Sequence, residues 1–215
     1  MKLVLLRHGR TAWNAERRFQ GQLDPPLDDA GRVQAYEVGP LIAALRPDRI
    51  VSSDAQRAAQ TAAIVGAAAG VPVAHDARLR ERALGRWEGL TREEVEQRFP
   101  DEFAAWLAGA DVLSRGGETR DEVAARAVAA FEDQPEVQTL VFVSHGATSM
   151  ALAGALLGID QRLHPLGPLA NCHWSELWRD GGGWRLRAHN LGVPGTVLPI
   201  AARVGDEVEV SDADA

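Results

Sequence analysis

KLVLLRHGRT, residues 2–11, sets four aliphatic residues, Leu3 to Leu6, directly ahead of Arg7, His8 and Gly9. TLVFVSHGAT, residues 139–148, repeats the device, with Ser144, His145 and Gly146 after the apolar run and a Thr two residues beyond the Gly. Short apolar runs without alternation are the pattern of strands buried on both faces of a parallel sheet. In open α/β sheets, ligands bind in the crevice beyond the carboxyl ends of such strands. RIVSS, 49–53, is a third strand of this kind, and it runs straight into a helix that carries Arg57 in its first turn. If the three strands are neighbours, Arg7, His8, Arg57 and His145 face one crevice. Gly9 and Gly146 then let the backbone turn sharply and a ligand come close.

Outward from these segments the chain alternates strand and helix. Residues 27–48 read as a helix capped by Asp28 or Asp29, with Pro47 past its end. Residues 54–70 read as a second, alanine-filled helix, with Asp54 as cap and Gly70 as stop. VPVAHD, 71–76, reads as a strand; TREEVEQRF and DEFAAWLAG as short helices; GETRDEVAARAVAAFED as a longer one; and ATSMALAGALLG as a buried helix. CHWSELW and WRLRAHN read as strands joined through DGGG, a sheet edge. The fold class is therefore α/β, a three-layer sandwich with a mostly parallel central sheet flanked by helices. No linker divides it, so residues 1–205 are expected to form one domain, with the acidic stretch 206–215 as a solvated tail.

With 215 residues, the chain is long enough for a deep core. No apolar run approaches the roughly 20 residues of a membrane span, and the opening strand has no secretory signal pattern ahead of it. One cysteine, Cys172, excludes an intrachain disulfide and suits a reducing cytoplasm. A net charge of −7 argues against a nucleic-acid surface.

Two arginines and two histidines form a concentrated basic pocket in this acidic chain. Arginine presents a planar fork of donors that matches phosphate oxygens. Histidine offers a nitrogen nucleophile when its other nitrogen is held by an acceptor. The ligand that suits this set is a phosphoryl group, with one histidine attacking in line and the other cations stabilising the equatorial oxygens. Expelling an alcohol also needs an acid. Glu81 and Glu88, both in RLRERALGRWEGLT, are the local candidates, and local sequence does not choose between them. A zinc site would need an HExxH, a Cys pair or tight His spacing, none of which occurs, and there is no phosphate-binding GxxxxGK[ST] loop. His75, His164, His173 and His189 have no comparable context. The pocket supplies its own cations, so no metal and no organic cofactor is expected.

In order along roughly residues 1–190, LRHGRTAWN, RRFQGQLDPPLDDAGRVQA, IVSSDAQRAAQTA, LRERALGRWEGLT, GGETRDEVAAR and VFVSHGAT resemble the histidine phosphatase superfamily. The resemblance implies a phosphohistidine intermediate on His8 and a phosphate pocket completed by Arg7, Arg57 and His145. It makes Glu81 the proton donor. It places Asn14, Gln20 and Gly21 on the substrate side, and the turn at Gly117, Glu118 and Thr119 beside the site. Arg10 stands where many members have Glu or Gln and adds a positive charge near the mouth. Arg82, Arg86, Arg115 and Trp106 are further candidates for reading the substrate.

The superfamily holds phosphatases and cofactor-dependent phosphoglycerate mutases. Mutases usually follow their acid with an aromatic residue, absent from Glu81-Arg82-Ala83-Leu84-Gly85, and they carry a longer insertion than residues 90–117 provide. A mutase must exclude water, which demands a fuller lid, so the implied activity is phosphomonoester hydrolysis. The narrower resemblance is to phosphatases of glucosyl-3-phosphoglycerate, which implies a small phosphorylated metabolite as partner. The alternatives are a mutase and a non-catalytic phosphoester-binding module, the latter disfavoured because His8 and Glu81 are both retained. A homodimer is compatible with an exposed edge strand.

Overall fold

The computed structural model describes residues 1–160 and 166–194. The strands are β1 (Lys2–Arg7), β2 (Arg49–Ser52), β3 (Val73–His75), β4 (Thr139–Ser144), β5 (Trp174–Asp180) and β6 (Gly183–Leu191). The helices are α1 (Ala12–Ala15), α2 (Asp29–Ala44), α3 (Gln56–Ala69), α4 (Arg92–Arg98), α5 (Pro100–Leu107), α6 (Arg120–Glu132) and α7 (Gly146–Leu157). The six strands form one mixed sheet in the order β3-β2-β4-β1-β5-β6. β1, β2, β3 and β4 are parallel, while β5 pairs antiparallel with β1, and β6 antiparallel with β5 at the sheet edge.

The two apolar runs behave as strands covered on both faces. Val4 and Leu6 of β1, with Val141 and Val143 of β4, pack against Val38, Ile42 and Val65 of α2 and α3. Leu3 and Leu5, with Leu140 and Phe142, pack the other way against Ala127 and Leu152 of α6 and α7. Each fully buried aliphatic side chain contributes about 1.5–3 kcal/mol, which is why these runs tolerate no polar alternation. A smaller cluster of Trp87, Val95, Phe103 and Val112, with Phe19 and Trp106 against it, joins α4 and α5 to the loop after β3.

Local capping sets several boundaries. Asp28 caps α2, its Oδ1 accepting from the Gly31 N–H at 2.7 Å. Gly70 and Gly158 end α3 and α7 in the left-handed region at φ 68° and 69°, where glycine is unstrained. Asp54 does not cap α3. The cap is Ala55, which makes no side-chain capping bond, and Asp54 instead pairs with Arg80 at 2.6 Å. A bidentate guanidinium partner outcompetes the orphan amide. The acidic tail, residues 195–205 and His164 lie outside the described residues.

Candidate active site

Strand register brings the predicted pocket together. Arg7 of β1 lies opposite Ser144 of β4, and Ser52 of β2 lies opposite Val143. The His8 N–H donates to the Ser144 carbonyl at 3.0 Å, and the Ser53 N–H to the Val143 carbonyl at 2.9 Å. The chains leaving the three strands therefore emerge side by side. The His8 and His145 rings lie 5.1 Å apart between centroids, tilted by 60°. Both are buried, as are Arg7, Asn14, Gln20 and Arg57.

The protonation of His8 follows from its partner. Its Nδ1 sits 2.7 Å from the Gly9 carbonyl oxygen, which can only accept, so Nδ1 carries the hydrogen and Nε2 keeps its lone pair. Burial holds the imidazole well below its ordinary value of 6.5, with Arg57 and then Arg7 adding to the effect and the Gly9 bond opposing it. The ring is thus neutral at neutral pH. His145 is depressed in the same way by burial, then by Arg57, His8 and Arg7. Its Nε2 contacts the Ser53 hydroxyl at 2.9 Å, while its Nδ1 is buried without a hydrogen-bond partner among the described residues.

Arg57 stands in the first turn of α3 and donates to the carbonyls of Leu23 at 2.8 Å and Gly21 at 2.9 Å. Arg7 donates to the Leu169 carbonyl at 2.6 Å. Gly9 is needed for contact, since a Cβ there would meet the Gly31 carbonyl oxygen at 2.4 Å. At Gly21, φ is +51° and a Cβ would run into the Glu88 carboxylate.

The geometry separates the two glutamates. Glu81 reaches the N-terminus of α7: its Oε1 accepts from the Thr148 N–H at 3.1 Å and the Arg82 N–H at 2.8 Å, and its Oε2 from the Ala147 N–H at 3.2 Å. A Cβ on Gly146 would lie 3.8 Å from Arg7 Nε and 3.9 Å from Glu81 Oε2, so the carboxylate and the guanidinium border one wall. Glu88 is a loop anchor, its Oε1 accepting from the N–H groups of Leu84 at 2.8 Å and Gln22 at 3.2 Å.

Other expected residues have protein partners of their own. Glu118 pairs with Arg126 at 2.7 Å and accepts from the Ala83 N–H at 2.9 Å, fastening the loop that carries Glu81. Thr119 caps α6 in a reciprocal capping box with Glu122. Arg10 pairs with Asp28 at 2.9 Å, its side chain 41% exposed. Arg82 is buried against Asp111, Arg115 is buried over the Trp87 ring at 5.3 Å, and Trp106 meets Trp87 edge-on. These three pack in the α4–α5 region; Arg86, half-exposed, pairs with Glu102. His173 and His189 are held by carbonyls of Asn171 and Gly167. Among the described residues, no group of three His, Cys, Asp or Glu could hold a metal ion, and no helix is long and apolar enough to cross a membrane.

The sequence reading missed the segment Leu169–His173. Besides the Leu169 carbonyl on Arg7, its Cys172 N–H reaches the carbonyls of Arg7 and His8 at 3.2 Å each, and its His173 carbonyl accepts from the Arg7 N–H at 3.0 Å. It also missed Thr61, which accepts from the Gly9 N–H at 3.0 Å and donates to the Arg57 carbonyl at 2.7 Å.

The model of the histidine phosphatase superfamily (branch 1) matches residues 3–192. The chain belongs to the histidine phosphatase superfamily. This histidine phosphatase is 41% identical over 187 residues to glucosyl-3-phosphoglycerate phosphatase of Mycolicibacterium vanbaalenii, covering 82% of this chain and 83% of that one. It is 32% identical over 217 residues to a probable phosphoglycerate mutase of Salmonella paratyphi C, covering 97% and 99%. Among solved structures, it aligns with a mycobacterial glucosyl-3-phosphoglycerate phosphatase in complex with VO3 at a TM-score of 0.80 and 37% identity, over 89% of this chain and 99% of that one. The α/β architecture expected from the alternating elements is that of its relatives.

Proposed function

We propose that this histidine phosphatase hydrolyses phosphomonoesters of small metabolites in two phosphoryl transfers through His8. In the first, the His8 Nε2 lone pair attacks phosphorus, the P–O ester bond breaks, and the departing alkoxide takes a proton from Glu81. Oε2 is the seat for that proton, because Oε1 accepts the Arg82 and Thr148 N–H groups while Oε2 accepts one amide. In the second, water attacks the phosphohistidine, Glu81 takes a proton from it, the P–N bond breaks, and phosphate leaves with His8 neutral again. Arg7, Arg57 and His145 stabilise the equatorial oxygens. For His145 to donate from Nδ1, its Nε2 must accept from the Ser53 hydroxyl, which the 2.9 Å contact allows. Asn14, Gln20, Gly21 and Gly146 line the substrate side, with Arg10 at the mouth.

The observation that carries this reading is the His8 Nδ1 contact with the Gly9 carbonyl, which fixes the lone pair on the other ring nitrogen. Glucosyl-3-phosphoglycerate is the substrate the relatives favour. We place the reaction in the cytoplasm, consistent with the single buried Cys172, and a homodimer is the assembly to expect, readable by light scattering. The deciding assay offers purified protein a panel of phosphomonoesters, including 3-phosphoglycerate and glucosyl-3-phosphoglycerate, with and without 2,3-bisphosphoglycerate. Phosphate release without the bisphosphate supports the phosphatase. Bisphosphate-dependent interconversion of 2- and 3-phosphoglycerate supports the mutase instead.

A further inference from the structure

We infer that Asn171 is a positioning residue for phosphoryl transfer, acting through Asn14 and the His8 backbone. The residue is buried, and its Nδ2 donates both to the His8 carbonyl at 3.0 Å and to Asn14 Oδ1 at 3.3 Å. The orientation of both amides is fixed by backbone groups that have only one role. The His8 carbonyl can only accept, so it faces the NH2 group of Asn171. The Thr11 N–H can only donate, and it meets Asn14 Oδ1 at 3.1 Å, so that atom is the oxygen. With the Thr11 hydroxyl also at 3.1 Å, Asn14 Oδ1 takes three donors. With Oδ1 so engaged, the only group Asn14 can offer a phosphate oxygen is its NH2.

The same amide thus joins the residue that follows β1 to the one helical turn after it, from a segment 157 and 163 residues away in the chain. Thr11 alone holds Asn14 Oδ1 from one flank. Asn171 supplies the second flank and stops the amide from rotating by a half-turn, which would present an oxygen to the anion. Losing it costs orientation more than substrate affinity, since Arg7 and Arg57 hold the phosphoryl group by charge in any case.

This inference rests on the reading of His8 as nucleophile, and the experiment separates the two. Asn171→Ala, Asn14→Ala, the double variant and His8→Ala are compared for kcat, KM and binding of orthovanadate against inorganic phosphate, with thermal unfolding monitored. The expected result is a loss of about 10- to 100-fold in kcat for Asn171→Ala with KM little changed. Vanadate binding should weaken more than phosphate binding, and the double variant should lose clearly less than the product of the two single losses. If Asn171→Ala does not fold, Asn171→Asp, which keeps the shape but presents acceptors to both carbonyl oxygens, carries the same prediction. An unchanged kcat, equal weakening of both anions, or losses that multiply in the double variant would overturn the positioning role. Full turnover by His8→Ala would instead overturn the reading on which it rests.

Discussion

Glu81 caps the helix that begins at His145. The Thr148 N–H, in the first turn of α7, donates to Glu81 Oε1 at 3.1 Å, while the His145 side chain makes no capping bond of its own. The imidazole is turned to Ser53 instead, and a carboxylate from the loop after β3 takes over the vacant amides. One contact therefore ties the loop that carries Glu81 to the helix that carries His145.

Replacing Glu81 with Gln removes the transferable proton while keeping one oxygen for the cap. Turnover of alkyl phosphates is expected to fall by about 10²- to 10⁴-fold. Loss on p-nitrophenyl phosphate should be smaller, because its leaving group departs without protonation. Parallel kcat measurements on the two ester classes check this; equal losses would count against proton donation.

The depressed histidines set the pH dependence. His8 and His145 both lie well below 6.5 when folded, chiefly through burial and Arg57. Between that lowered value and 6.5 the unfolded chain binds more protons than the folded one, so stability rises with pH up to about 6.5 and is then flat with respect to these groups. The acid limb of kcat/KM, corrected for substrate ionisation, is expected well below 6.5. Arg57→Gln should move that limb upward toward 6.5 as well as slowing turnover.

Gly9→Ala tests the close approach of the first loop to α2. The added methyl would sit 2.4 Å from the Gly31 carbonyl oxygen, a backbone atom that cannot step aside alone. A destabilisation of about 1–3 kcal/mol is expected, or a fall in Tm of roughly 2–4 °C per kcal/mol for a chain of this size. Thermal unfolding followed by circular dichroism reads it.

Trp87 is fully buried and packs at tilted angles against Phe19 and Phe103 and edge-on against Trp106. Trp87→Ala is expected to cost about 3–5 kcal/mol through the cavity it leaves. The effect should register in urea unfolding as a lower midpoint. A midpoint within error of the parent would show that this cluster contributes little.

Local pattern made much of this molecule legible. The unalternated runs at Leu3–Leu6 and Leu140–Val143 announced strands with two buried faces, and Asp28 and Gly70 marked helix ends. The meeting of Arg7, His8, Arg57 and His145 followed from the rule for strand ends. Contacts across the chain were not legible. Nothing local says that Asn171 reaches His8, that Arg82 pairs with Asp111, or that Arg115 lies over Trp87. Asp54 failed as a cap because Arg80, 26 residues on, offers it a stronger partner.

The proposed role of His8 is to carry the phosphoryl group between substrate and water. The most direct measurement quenches the enzyme in alkali during turnover and locates the phosphoryl group by peptide mass spectrometry. The expected result is a base-stable, acid-labile phosphoryl group on the peptide containing His8, absent from His8→Ala, which should also have lost turnover with its circular dichroism spectrum intact. A phosphoryl group on His145, or undiminished turnover by His8→Ala, would contradict it.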